Sequence, residues 1–591
     1  MEIESTNNRR ANVKTLLCVL TLVLLFALLL WRVPFGYDWT DEQYFSEIGY
    51  RLIQGDRPLV DTWEVHQFSA MLAAPVLKGY LALNGGSTDG MVLFLRYFYV
   101  SFQLCVSLVA FFVLKRKSGR IPALLVATML LAYSHFSINS YFYDSMTQLY
   151  TVLSGLMCIA FFNRTSRGFV FAALGGASFA LAIVAFPYVL LVVPICLVYW
   201  LVRLRDKNER RRNALGMLAF FAGAAAVALA LVLFLLSRAS VSQLLTGVRN
   251  MLGDPDHQSV SLVEVMGQYF NAIRVIFSPA SYGAAALLLL GIAYTRSRKA
   301  TVRRLLHRAG AIGALLLLLC VVGIAMFYDW DGVHRINLFA MGFALVAPGL
   351  FFLTDRRKDD GTMLLYWLGC GLSISVQLGS NTRILASSGM LLPASLATML
   401  YLFDHANELF AWDAEEVGFV PSRSKRWPVV LCGVAILACA ACVLGTAHLR
   451  LTAVHRDEPV PELTVTIQSG AAKGIRTTPK SAELHDRLIE NIRENAPSSG
   501  AILITYLFPE GYLVTGLRAA TPSAFNMSMD SSWLAQYYEQ HPERVPALVF
   551  ALDPAMPFNE LGYVGISTYA ENPSYVQRQY DTGTAFMNTT P

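Results

Sequence analysis

Through the first three quarters of the chain, uncharged apolar runs close to twenty residues long recur, separated by short polar connections. A helix needs about 20 such residues to cross the hydrocarbon of a bilayer. Only 15% of the 591 residues are charged and 55% are hydrophobic, whereas a soluble domain carries roughly a quarter charged. So many apolar runs cannot share one water-soluble core, and the chain reads as a polytopic membrane protein. By length and flanking residues about thirteen spans are expected, near 14–32, 91–114, 121–135, 144–162, 169–185, 187–202, 214–237, 276–295, 309–328, 336–353, 362–379, 389–403 and 428–446. The first follows Arg9, Arg10 and Lys14 and lacks a small-residue cleavage site, which marks it as a retained helix.

The distribution of charge sets the topology, more than the net value of +6 does. One further apolar segment, Gln67–Leu83, is ambiguous. If it does not fully cross, the basic connections all fall on the cytoplasmic side. These are Lys115 to Arg120, Arg164 and Arg167, Arg203 to Arg212, Arg296 to Arg308, Arg356 to Lys358, and Arg423 to Arg426. If it did cross, every later basic loop would face outward, against the positive-inside rule. Segment 67–83 is therefore expected to be a re-entrant or interfacial helix of a long first outer loop, residues 33–90. The chain divides into a transmembrane domain, 1–449, and an outer domain, 450–591.

The outer segment reads as a small α/β domain. A polar helix is expected at Lys480–Asn495, strands at Ala501–Leu507 and Ala547–Leu552, and a second polar helix at Ser531–Gln540. All nine cysteines lie in apolar segments, so neither a disulfide framework nor a Cys–His metal spacing is present. Apolar spans with a Cys-free outer domain suggest a multi-pass protein of a bacterial plasma (inner) membrane. No internal repeat is visible, and nothing points to nucleic acid.

The densest polar cluster is Asp38-Trp39-Thr40-Asp41-Glu42-Gln43-Tyr44 in the first outer loop. Thr40 followed by Gln43 has the form of a capping box. Tyr44, Phe45, Ile48 and Leu52 recur at helical spacing up to Gly55. An amphipathic helix over Asp41–Gln54, lying in the interface, is the expectation. Asp41 and Glu42 would occupy its first turn, where the helix dipole favours their ionised form. An ionised carboxylate at the mouth of the membrane can take a proton from an attacking hydroxyl. Acidic residues also simply decorate helix N-termini. Further along, Glu64 and His66 can hydrogen-bond a sugar or phosphate, or form a polar hinge between interfacial helices.

Ionisable residues at the outer ends of spans are functional candidates. Asp144 starts the fourth span. Asp329, Asp331, His334 and Arg335 lie between spans nine and ten, and Asn381 and Arg383 between eleven and twelve. An arginine at that level can grip a phosphate bidentately or snorkel to headgroups.

The Asp41-Glu42 pair just after the first span resembles the GT-C superfamily of glycosyltransferases. The following amphipathic helix, the Gly55-Asp56-Arg57-Pro58 turn, the aromatic-Glu patch around Trp63-Glu64 and the second interfacial helix fit the same pattern. Protein O-mannosyltransferases and lipid A aminoarabinose transferases are the relatives it suggests. The match covers roughly residues 14–120, including Arg96. Many members place Lys-Pro-Pro after the Glu, where this chain has Val65-His66-Gln67, so His66 or a residue elsewhere would have to meet the lipid phosphate.

The resemblance implies an all-α GT-C-like membrane domain followed by the small α/β domain, with Asp41 at the family's catalytic carboxylate and Glu42 beside it. It implies an inverting glycosyltransferase with a polyprenyl-phosphate sugar donor and a glycan, lipid or protein acceptor. Glu64, His66, Arg96, Asp144, Arg335 and Arg383 become the substrate-binding candidates. No metal or other cofactor is expected, although Asp41 with Asp144 can in principle hold a divalent ion. A transporter or flippase of lipid-linked glycans is the rival of a different class. It would be expected to carry central charges and inverted repeats; central charges are few and no repeat is obvious. A glycan polymerase or ligase would use a longer lipid-linked donor.

Overall fold

The structure is a computed structural model that describes residues 2–163, 168–253, 260–276, 278–353, 360–379, 384–409, 414–415, 418–419, 426–505, 507–525, 531–553 and 567–589. The helices run α1 (Glu2–Arg32), α2 (Asp41–Gln54), α3 (Gln67–Leu83), α4 (Met91–Leu114), α5 (Arg120–Ala132), α6 (Tyr143–Phe162), α7 (Gly168–Ala185), α8 (Val193–Arg203) and α9 (Arg210–Leu236). Next come α10 (Val241–Leu252), α11 (Leu262–Ile276), α12 (Ser278–Arg296), α13 (Ala300–Phe327), α14 (Gly332–Leu353), α15 (Thr362–Leu378), α16 (Ile384–Ser388) and α17 (Leu392–Leu409). A two-residue hairpin, β1 (Ala414–Glu415) and β2 (Gly418–Phe419), precedes the last long helix, α18 (Arg426–Thr452).

Among the described residues, eight helices are long and apolar enough to cross a membrane, and four shorter apolar helices accompany them. With α17, every expected span falls on a helix, and the protein is a multi-pass membrane protein. Lipid-facing surfaces stay apolar: Leu24 on α1, Leu218 on α9 and Leu316 on α13 are all exposed. At the end away from the C-terminal domain, Lys117 binds Asp360 at 3.0 Å and Asp404 at 2.6 Å. Arg212 there donates to the carbonyl of Phe161. The basic residues at 164–167, 356–358 and 423–425 lie outside the described residues.

The first loop has two helices with the expected bounds, α2 and α3. Two features differ from expectation. The Thr40 side chain makes no cap, and both polar atoms of the Gln43 side chain are buried without a partner, so no capping box forms. Asp38 caps instead, accepting from the amides of Thr40 (3.2 Å) and Glu42 (3.1 Å). A carboxylate at this point satisfies amides that the helix start leaves without partners. Nor does α2 lie open in the interface. Its polar residues Glu42, Ser46, Glu47 and Arg51 are buried, with α20 (Glu510–Thr515) and β6 (Arg518–Ala519) of the C-terminal domain packed on it.

That domain begins with the short ladder β3 (Val465–Thr466) and β4 (Arg476–Thr477). It continues through α19 (Pro479–Asn495), β5 (Ala501–Thr505), α20 (Glu510–Thr515), β6 (Arg518–Ala519), α21 (Ser531–Gln540), β7 (Leu548–Leu552), α22 (Ser567–Ala570), β8 (Tyr575–Tyr580) and β9 (Gly583–Asn588). The sheet order is β6-β5-β7-β9-β8. Strand β5 runs parallel to β6 and β7, while β9 is antiparallel to both β7 and β8. Strands β5 and β7 are buried at every residue, as continuous apolar runs flanked by helices should be. The β8–β9 hairpin was not anticipated.

The domain grips the first loop. Trp63 is buried against Trp533 and Tyr537. Its amide donates to the carbonyl of Pro522 at 3.0 Å. Helix α10, a further unanticipated element, closes over the same loop. A Cβ at Gly247 would lie 1.6 Å from the Leu59 carbonyl oxygen, so only glycine permits this approach.

The charge asymmetry predicts opposite exposures for the two ends. Cysteines placed at Ser87→Cys and Glu571→Cys should react with a membrane-impermeant thiol reagent in intact cells, and Asn208→Cys should react only after permeabilisation. Labelling of Asn208→Cys in intact cells would reverse the orientation.

Candidate active site

The site lies where the ends of α1, α4 and α18 meet the first loop. Three arginines frame it: Arg32, Arg96 and Arg450, each at most 4% exposed. Arg32 donates to the carbonyls of Phe35 and Ala453. Arg96 donates to the carbonyls of Val33 (3.0 Å) and Gly36 (2.7 Å). Arg450 donates to Leu131 O (2.6 Å), Tyr133 O (3.1 Å), Gln103 Oε1 (2.7 Å) and Asn139 Oδ1 (3.1 Å). A buried guanidinium requires such a set of acceptors, and these acceptors are the turns that build the site.

The two adjacent acids of α2 have different fates. Glu42 is buried and paired through both oxygens with Arg96, whose Nε lies 2.9 Å and 3.1 Å from them. Burial dominates its titration and raises it above the ordinary glutamate value despite Arg96. Asp41 keeps its side chain partly exposed, at 19%. His455 Nε2 lies 3.5 Å and Arg456 Nη1 3.2 Å from its Oδ2. Burial alone would raise its pKa, but Arg456, His455 and the nearby His66 hold it at about 2. Asp41 is thus a carboxylate at any physiological pH.

The other expected residues divide into three groups. His66 and Asp144 join Asp41. The imidazole of His66 stacks on Tyr143, centroids 3.7 Å apart at 9°. Asp144 Oδ2 lies 3.5 Å from His135 Nε2, and its Oδ1 is buried without a hydrogen-bond partner. Burial lowers the pKa of His135 to about 3, so it faces Asp144 as a neutral ring. Arg96 and Glu64 are engaged within the protein. Glu64 accepts from the Ala524 amide (2.9 Å) and the Tyr44 hydroxyl, tying the loop to the C-terminal domain. Arg335 lies in the first turn of α14, next to His334, whose ring faces Phe136; its Nε is buried without a partner. Arg383 and Asn381 lie outside the described residues.

Sequence reasoning missed His135, His455 and Arg456 and assigned no role to Asp38. The run His455-Arg456-Asp457-Glu458 directly after the last span was the available signal. Backbone conformation marks the same places: Phe136, Ser137 and Arg456 are three of the four non-glycine residues with positive φ among the described residues. Such outliers concentrate at ligand sites. The turn 135–137 is braced by Ser137 on the Ala453 carbonyl (3.0 Å). Gly389 packs against it, where a Cβ would meet His135 Nδ1 and the Tyr133 hydroxyl at 2.4 Å.

Asp38, Asp41 and His455 each bring one ligand atom within 4.8 Å of the others. Two carboxylates and an imidazole suit a divalent cation. The Arg456 guanidinium already stands against the same two carboxylates.

No protein-family profile matches the sequence, and no curated protein matches it. Among solved structures, the chain is similar to the oligosaccharyltransferase of Archaeoglobus fulgidus in complex with Zn and sulfate. The identity is 13% and the TM-score 0.50, over 97% of this chain and 73% of that one. It is also similar to ArnT from Cupriavidus metallidurans in the apo state, at 13% identity and TM-score 0.41, over 98% of both chains. The first overlap shows that the chain has the GT-C fold that its first loop resembles.

The electrostatics of α2 generate one prediction. Glu47 is buried, with neither oxygen hydrogen-bonded. Desolvation raises its pKa to about 8. Arg51, 3.8 Å away and bound to Asp56 at 2.8 Å and the Asp61 carbonyl at 2.7 Å, opposes this only in part. Between the ordinary 4.5 and about 8 the unfolded chain releases this proton while the fold retains it, so stability falls as pH rises through that window. Glu47→Gln has no proton to release. It should match the parent at pH 4.5 and be more stable by on the order of 3 kcal/mol at neutral pH. Melting temperatures across pH in detergent or nanodiscs check this; a constant offset would assign the effect to packing.

Proposed function

We propose that the protein is an inverting glycosyltransferase that takes a sugar from a polyprenyl-phosphate donor and passes it to an extracytoplasmic acceptor hydroxyl on a glycan, lipid or protein. The observation that carries this reading is the contrast between Asp41 and Glu42. Glu42 is consumed by Arg96, while Asp41 is ionised and its side chain stays 19% exposed beside His455 and Arg456. With the domain-bearing face outward, as the basic connections indicate, Asp41 lies at the outer surface of a plasma membrane.

In this reading Asp41 is the general base. The acceptor oxygen attacks the anomeric carbon and its proton passes to the Asp41 carboxylate. The bond from the anomeric carbon to the phosphate oxygen breaks, and the pair of electrons leaves with the polyprenyl phosphate. The departing group is already a stable anion, and nearby cationic side chains stabilise its growing charge. Asp38 caps α2 and so aims Asp41. Glu42 with Arg96 fixes the first turn behind it. His66, stacked on Tyr143, and Asp144 lie near Asp41 and offer rings and a carboxyl suited to a sugar. We assign the cationic role beside Asp41 to Arg456 and His455 and expect no metal requirement. Sugar transfer that disappears on chelation and returns with Mn²⁺ or Zn²⁺ would transfer that role to an ion on Asp38, Asp41 and His455.

The variant Asp41→Asn keeps the shape and removes the basic oxygen. Loss of a positioned general base typically costs about 10²–10⁴-fold in rate, so sugar transfer by the purified variant in lipid should fall by that order. Its melting temperature should stay near that of the parent. Glu42→Gln should instead lower the melting temperature, because it leaves Arg96 buried without its counter-charge. A folded Asp41→Asn protein with normal turnover would move a flippase or transporter ahead of the transferase.

A further inference from the structure

Arg456 is built differently from Arg32, Arg96 and Arg450. Those three are buried and bound to backbone carbonyls. The Arg456 side chain is 45% exposed. Its backbone is nevertheless held in a left-handed conformation, φ 53°. The next residue clamps it there: Asp457 Oδ2 accepts from the Tyr37 amide and the Thr477 hydroxyl, both at 2.7 Å. The fold thus immobilises the main chain at 456–457 and leaves the guanidinium on the open side. From there it meets the Thr40 hydroxyl and Asp41 Oδ2, and approaches Asp38 Oδ1 at 3.7 Å. A planar guanidinium that bridges carboxylates at a surface is equally matched to phosphate oxygens. It stands just past the end of α18, where a lipid phosphate would lie.

We propose that Arg456 takes the phosphate of the lipid donor, exchanging the Asp41 carboxylate for phosphate oxygens, so that the base leaves its ion pair only when donor is in place. The exchange rests on the reading of Asp41 as the base. It requires Asp41 and the phosphate to compete for one guanidinium, a relation that a purely structural arginine would not create.

The test is lipid binding and turnover by the full-length protein in nanodiscs, with undecaprenyl phosphate, undecaprenol and inorganic phosphate as probes. Undecaprenyl phosphate should raise the melting temperature of the parent, and the other two at equal concentration should not. Arg456→Ala should weaken that binding roughly tenfold or more, and Arg456→Lys should fall between. In turnover, Arg456→Ala should raise the donor KM by more than it lowers kcat. Asp41→Asn should bind undecaprenyl phosphate more tightly than the parent, because its competing carboxylate is gone. Parent-like binding by Arg456→Ala, or no tightening in Asp41→Asn, would overturn the exchange while leaving the transferase reading intact. Stabilisation by inorganic phosphate equal to that by the lipid would overturn the lipid as ligand. Failure of the parent to respond to undecaprenyl phosphate would remove the donor reading itself.

Discussion

The site depends on three buried guanidiniums. Arg32, Arg96 and Arg450 sit at the ends of α1, α4 and α18, where helices give way to loops. Loop backbone at that point has carbonyls without helical partners, and buried carbonyls without partners are costly. Each arginine meets several of them at once. The carbonyls of Val33, Phe35 and Gly36, then Leu131 and Tyr133, and finally Ala453 are drawn in this way. These are the entry to the first loop, the approach to the 135–137 turn and the exit from the last span. Three segments far apart in sequence are thereby brought to one place.

The frame also separates the two acids of α2. Glu42 is the carboxylate hydrogen-bonded to Arg96 in that frame. Glu42 turns inward to the frame and loses its freedom. Asp41 turns outward, where Arg456 and His455 keep it ionised.

The parts that were legible in sequence were those written in local pattern. Helix α2 follows from Tyr44, Phe45, Ile48 and Leu52 ending at Gly55. Helix α3 follows from the apolar run Gln67–Leu83. Strands β5 and β7 follow from short apolar runs between polar helices. The illegible parts depend on partners distant in the chain. The Thr40–Gln43 capping signal was overridden because Asp38, two residues earlier, takes the Thr40 amide together with that of Glu42. The polar face of α2 looked solvent-bound because nothing local says that a domain more than four hundred residues later covers it. Arg96 and Glu64 have the chemistry of ligand-binding residues; only the fold reveals that Glu42, Tyr44 and the Ala524 amide claim them first.

The C-terminal domain is consequently a wall of the site and not an appendage to the bundle. Buried polar ties run across its junction with the first loop: Arg544 on Asp56, Glu64 on Ala524, and Glu510 between Tyr37 and His485. Buried ion pairs of this kind contribute little net stability once desolvation is counted, yet breaking one partner is expensive. They therefore act mainly on register, admitting one seating of the domain on the loop. That seating places 455–457 against Asp38 and Asp41, because Asp457 is bound on both sides, to Tyr37 of the loop and Thr477 of the domain. The same seating sets the half-exposed guanidinium of Arg456 on the Thr40 hydroxyl and beside Asp41. The structure thus sets an exposed cation against a carboxylate whose helix start is fixed by buried partners.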